Sequence, residues 1–195
     1  MMTLGGQHYH FLCLCLKKKI ALLKKIEGLK IDPIISAELD LVAKRLEDSG
    51  WVIEEPKAPN FQEAAKFQAT LWLGEFRRTG GEAITKENDP DSNFIYSQMS
   101  RRCPDTSLEK FMDSLQQRAR ISREWNKFFD QYPIILCPIT GDVPFPDLKD
   151  LESEESFDLV FDSMLPQIAP PYMGLPGLSF ATSQTKQKIP LGVQF

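Results

Sequence analysis

The chain has 195 residues, is 42% hydrophobic and 26% charged, and carries a formal net charge of −4 at pH 7. That is enough apolar content for one domain with a sizeable core, and the acidic balance leaves no broad electrostatic footprint for nucleic acid. No apolar run approaches the ~20 residues of a transmembrane helix, and Cys13, Cys15, Cys103 and Cys137 lack a disulfide-scaffold spacing, which points to a reducing, cytoplasmic setting.

Residues 1–19 are unusual in content. His8, His10, Cys13 and Cys15 raise the idea of a metal cluster, but they stand closer together than structural zinc pairs do, so no metal or cofactor is expected. Phe11 to Leu16 followed by Lys17-Lys18-Lys19 inverts the order of a secretory signal. An amphipathic helix is expected from about Lys17 to Leu29, with Ile20, Leu23 and Ile26 on one face. A membrane-surface role for it, with lipidated cysteines, is the weaker reading beside a solvated helix or a disordered tail. The expected division is a leader, 1–30, and a domain, 31–195.

Asp32-Pro33 is an N-cap followed by proline at the first helical position. Ile35, Leu39, Val42 and Leu46 then form one apolar stripe, Gly50 ends the helix, and Trp51 to Pro56 reads as a short strand. Asn60 caps a second helix that carries Ala64, Phe67 and Leu71 and stops at Thr79-Gly80-Gly81. Glu82 to Ser100 is polar, with a loop at 88–92. Thr106-Ser107-Leu108-Glu109 is a capping box opening the longest helix, about Ser107 to Asp130. Leu108, Phe111, Met112, Leu115, Trp125, Phe128 and Phe129 are its expected buried side. Arg101, Arg102, Arg118, Arg120 and Arg123 read as solvated helix faces paired to acids rather than as a phosphate site. The acidic run Asp147 to Asp158 reads as an exposed connection into a short helix, Phe157 to Leu165.

In the last third, Pro133 to Pro138 suits a buried strand, with Cys137 as a small core residue. Leu178 to Ala181 and Leu191 to Phe195 read as two strands of a hairpin joined by the polar turn 183–188. The fold class is therefore α/β, a mixed sheet covered by helices.

Trp125-Asn-Lys-Phe-Phe-Asp130, then Pro-Ile-Ile-Leu-Cys-Pro-Ile-Thr140, then Met173-Gly-Leu-Pro-Gly-Leu178, then Pro190-Leu-Gly-Val-Gln194, in that order and spacing, resemble the C-terminal portion of the amidase signature family. The resemblance covers roughly residues 31–195. It implies a partial amidase-type α/β/α sandwich from an enzyme class that hydrolyses amides with a Ser–Ser–Lys triad. In that class a lysine acts as base through a bridging serine, and the nucleophilic serine lies in a Gly/Ser-rich stretch whose amides hold the oxyanion.

None of this machinery transfers onto the chain. There is no Ser-Ser pair and no Gly-Ser-Ser-Gly-like segment, and neither Gly5-Gly6 nor Gly80-Gly81 is followed by serine. The only histidines are His8 and His10, and Cys137 lacks a partner base, so no catalytic residue is assigned. Met173, Gly174 and Leu175 are the candidate substrate-cleft residues. The expectation is a truncated amide hydrolase fragment that completes the sheet and part of the cleft and is inactive alone. It takes an amide substrate only when completed by a catalytic half. The right end looks cut, so the piece is expected to be marginal or sticky. The alternative is a non-catalytic module that docks on an amidase-like partner through an unfinished sheet edge.

Overall fold

A computed structural model describes residues 18–195. The cluster of His8, His10, Cys13 and Cys15 and the run Phe11 to Leu16 lie outside the described residues. Five strands form one sheet: β1 (Lys19–Leu22), β2 (Val52–Glu54), β3 (Ile134–Pro138), β4 (Ser179–Gln184) and β5 (Pro190–Gln194), in the order β2-β1-β3-β5-β4. β1 pairs in parallel with both β2 and β3, whereas β5 runs antiparallel to β3 and β4. The expected mixed sheet and C-terminal hairpin are both present.

The expected helix over 17–29 is not formed. Lys19–Leu22 is instead an interior strand of the sheet, so the reading of 1–30 as a separate leader fails for its described part. Ile20, Ala21, Leu22 and Leu23 are all buried. A strand covered on both faces is a continuous apolar run without alternation, and in so short a run Ile20, Leu23 and Ile26 also match a helical stripe.

Side chains alternate across β1 and build two cores. Ile20 and Leu22 join Leu136 and Val193 against Leu39, Val42 and Ala43 of α1 (Pro33–Asp48). Ala21 and Leu23 point the other way, with Cys137, toward a larger cluster that includes Phe61, Ile121, Trp125, Ile168 and Tyr172. That second layer is built by α2 (Phe61–Thr79), α5 (Leu108–Gln131) and α7 (Leu165–Met173). The result is helix, sheet, helix.

The caps expected at Asp32 and Asn60 are in place, and α5 is capped by Ser107, one residue after the Thr106 of the expected capping box. Asp32 accepts a hydrogen bond from the Ile34 amide at 2.7 Å, Asn60 from Gln62 at 2.7 Å, and Ser107 from Lys110 at 3.3 Å. Gly141 is held where the loop after β3 meets the start of α1: a Cβ there would lie 2.4 Å from the Lys30 carbonyl.

Other stretches differ from the reading. The polar region 82–100 is helical, as α3 (Gly81–Glu87) and α4 (Pro90–Arg102), with Asp89 capping α4 ahead of Pro90 as Asp32 does ahead of Pro33. The short helix expected at 157–165 starts earlier, as α6 (Glu154–Ser163), and breaks at Met164 before α7. α7 also runs through Pro170 and Pro171. Pro170 cannot donate to the Pro166 carbonyl, and the Gln194 side chain of β5 supplies that hydrogen bond at 3.3 Å. Leu108, Met112 and Leu115 of α5 are exposed rather than buried, while Ser114, Ile121 and Trp125 face inward.

Candidate functional site

A cavity of about 1170 Å³ opens between α2, the segment 103–106, the start of α5 and the α6–α7 junction. Phe67, Thr70, Cys103, Lys110, Ser114 and Ile168 are among its walls. These residues come from elements far apart in the sequence, so no local pattern announces the cavity. A second hollow of about 770 Å³ lies between α2, α4 and residues 148–151, against Trp72, Phe76, Tyr96 and Met99.

Ion pairs pin the elements that bound these spaces. Arg102 of α4 bonds Asp158 and Asp162 of α6 and lies 4.6 Å from the centroid of the Phe161 ring. The Arg102 bond holds the Asp158 carboxyl below its ordinary range. Arg120 bonds Glu63 and Glu124, so arginines 101, 102 and 120 face acids, as expected. Across the sheet's other end, Glu54 accepts from the Tyr132 hydroxyl at 2.7 Å and pairs with Lys19 at 2.9 Å. These bonds lower the Glu54 carboxyl and raise Lys19 and Tyr132.

The side chains able to act as nucleophiles sit in contrasting surroundings. Cys137 is buried on β3, and desolvation pushes its thiol up to about 12, so no thiolate is available near neutrality. Cys103 is half-buried at the cavity wall, with its sulfur 3.8 Å from the Thr70 hydroxyl. The buried serines are committed elsewhere: Ser114 donates to the Lys110 carbonyl and Ser163 to Val160. The lysine ammoniums at Lys19, Lys24, Lys44, Lys86 and Lys149 pair with carboxylates. Among the described residues no group of three His, Cys, Asp or Glu side chains is placed to hold a metal ion.

The candidate cleft residues fall at the end of α7. Met173 is buried in the larger core, Gly174 is left-handed at φ 70° and closes the helix, and Leu175 packs on the same cluster. Both cavities are walled by other residues; α7 contributes Leu165 and Ile168 to the larger one.

One polar contact was not foreseen. Glu38 lies in the buried stripe of α1, and its Oε2 accepts from the Ser183 hydroxyl of β4 at 2.7 Å. Its Oε1 is buried and has no hydrogen-bond partner among the described residues. The signal was available: an acid beside Ile35, Leu39 and Val42 on one helical face.

Comparison with known proteins places this arrangement. The family model described as Amidase matches residues 14–195. The indoleacetamide hydrolase of Bradyrhizobium diazoefficiens is 25% identical over 177 residues, which is 90% of this chain and 34% of that protein. Its counterpart from Bradyrhizobium japonicum is 24% identical, with 38% of its length covered. Among solved structures, fatty acid amide hydrolase superposes with a TM-score of 0.71 at 16% identity, over 90% of this chain and 36% of that one. A bacterial aryl acylamidase of the amidase signature family gives 0.64 at 16% identity, with 90% and 39% covered. The match starts at residue 14, so the boundary expected near residue 30 is not where the family pattern begins. The chain spans about a third of the length of the curated relatives it matches. With the family pattern running through β1 and the amidase-type layers around it, the chain belongs to the amidase family, as a partial amidase-type chain.

Proposed function

We propose that this chain is the scaffold portion of an amide hydrolase. It completes the sheet and part of the substrate cleft, with the Ser–Ser–Lys machinery supplied by further amidase polypeptide. The carrying observation is the family match over 14–195 in a chain that holds only about a third of its relatives' length. Amide hydrolysis needs an activated nucleophile, a base for its proton and donors for the oxyanion. The buried Ser114 and Ser163 give their hydroxyls to carbonyls, the exposed Ser183 gives its own to Glu38, and Cys137 stays protonated. The turn Met173–Leu175 leads toward β4 and is the cleft-facing segment in this reading.

A fluorophosphonate probe and a simple anilide test the idea on the purified chain. The expected result is neither covalent labelling nor turnover. Labelling of any serine in the chain, or sustained hydrolysis of the anilide, would overturn it.

A further inference from the structure

β4 is the last strand of the sheet and pairs only with β5, so its outward amides and carbonyls meet no strand among the described residues. Every residue of β4 but Thr182 is exposed, with Phe180 44% accessible and the adjoining Leu178 62%. Edges of this kind attract further strands unless bulges, charges or a covering element block them. β4 carries no charged residue, and its one irregularity lies between Ala181 and Ser183.

Beside this open edge sits the carboxylate of Glu38, one oxygen on Ser183 and the other buried without a partner among the described residues. An orphaned buried carboxylate oxygen is a standing cost to the fold. Ser183 directs its side chain to the α1 face of the sheet, since it reaches Glu38 there. A strand added to β4 would lie about 4.8 Å away, and its side chains on that face would stand beside Ser183, under α1. A cationic side chain at that place would lie on the same side of the sheet as Glu38.

We propose that the outer edge of β4 takes up a strand of the amidase polypeptide that carries the triad, and that this strand brings a lysine or arginine to Glu38. The proposal rests on the function given above. The chain's coverage of only about a third of its relatives favours this occupant. A second copy of the chain fits less well, because β4, Ser-Phe-Ala-Thr-Ser-Gln, offers Glu38 no cation.

The test coexpresses the full chain with the part of the Bradyrhizobium diazoefficiens indoleacetamide hydrolase that it does not match. Hydrogen exchange, affinity and hydrolysis of indoleacetamide are then read. The expected result is a complex in which residues 178–184 become protected. Glu38→Gln, similar in shape, should weaken that complex about tenfold while the free chain keeps its melting temperature. The exchange measurement on the unaltered chain stands by itself if the variant folds poorly. Turnover without protection at 178–184 overturns the docking edge and leaves the function standing. Protection with Glu38 dependence but no turnover supports the edge and counts against the function. Absence of any complex, or protection of the chain alone that grows with its concentration, overturns the docking of a catalytic strand.

Discussion

The indole of Trp125 meets the ring of Phe61 edge to face, with centroids 4.7 Å apart. This contact joins the first turn of α2 to the last third of α5 over the face of β1 and β3 that carries Ala21 and Cys137. Trp125 is fully buried, and its indole nitrogen has no hydrogen-bond partner among the described residues. The ring therefore acts through packing. Trp125→Ala should cost about 3–5 kcal/mol in urea unfolding. Trp125→Phe should cost much less, because it forfeits no hydrogen bond.

Tyr172 ties α7 to α5 by donating its hydroxyl to the Ser114 carbonyl in the interior. Tyr172→Phe keeps the ring stacked on Phe67 and removes only that bond. A loss of about 1 kcal/mol is expected, read as a lower urea midpoint at unchanged slope.

Alkaline unfolding should reflect two buried acids. Burial pushes both the Cys137 thiol and the Tyr172 phenol up to about 12, from ordinary values of 9.0 and 10.0. A raised folded-state value means that the unfolded chain loses its proton first as pH rises. Stability from these groups is complete below pH 9, declines between 9 and 12, and is gone above that. A thermal melt across that interval should fall more steeply for the unaltered chain than for Cys137→Ala.

Thiol accessibility follows from the same burial. Iodoacetamide at mildly alkaline pH should leave the peptide containing Cys137 unmodified in the folded chain and modify it in urea, read by peptide mass spectrometry. Modification of Cys137 at equal rates in both states would contradict the packing around β3.

Arg102 serves two carboxylates and one aromatic face, whereas Arg101 lies farther out on the same helix end. Arg102→Ala should cost about 1–2 kcal/mol, more than Arg101→Ala. The Asp158 carboxyl is held below its ordinary 3.8, chiefly by the Arg102 bond. Its contribution is therefore present above that pH and lost as pH falls through the depressed value. The difference between Arg102→Ala and the unaltered chain should shrink in acid and in 1 M salt.

Capping residues made much of the helical plan legible. Asp32-Pro33 and Asn60 each hold a first-turn amide, because the short side chain reaches its own helix N-terminus whatever lies beyond, while at α5 the cap is Ser107, one residue after the expected Thr106. Asp89-Pro90 carried the same signal and was masked by the polarity of 82–100: α4 contains no buried residue, so no apolar stripe marks it. The Glu38–Ser183 contact was half legible, an acid on an apolar helix face whose partner lies 145 positions away.

By itself the sequence determined what local chemistry can fix: the caps at Asp32 and Asn60, the C-terminal hairpin, the buried β3 with its inert Cys137, and the order of motifs that marks the amidase family. Tertiary structure alone decided that Lys19–Leu22 is an interior strand, that Leu108, Met112 and Leu115 face outward, and that Pro170 and Pro171 sit inside a helix. The physical reason is that each depends on a distant neighbour. β1 is a strand because β2 and β3 take its backbone hydrogen bonds, and α7 tolerates its prolines because Gln194 of β5 reaches the carbonyl that Pro170 leaves unpaired.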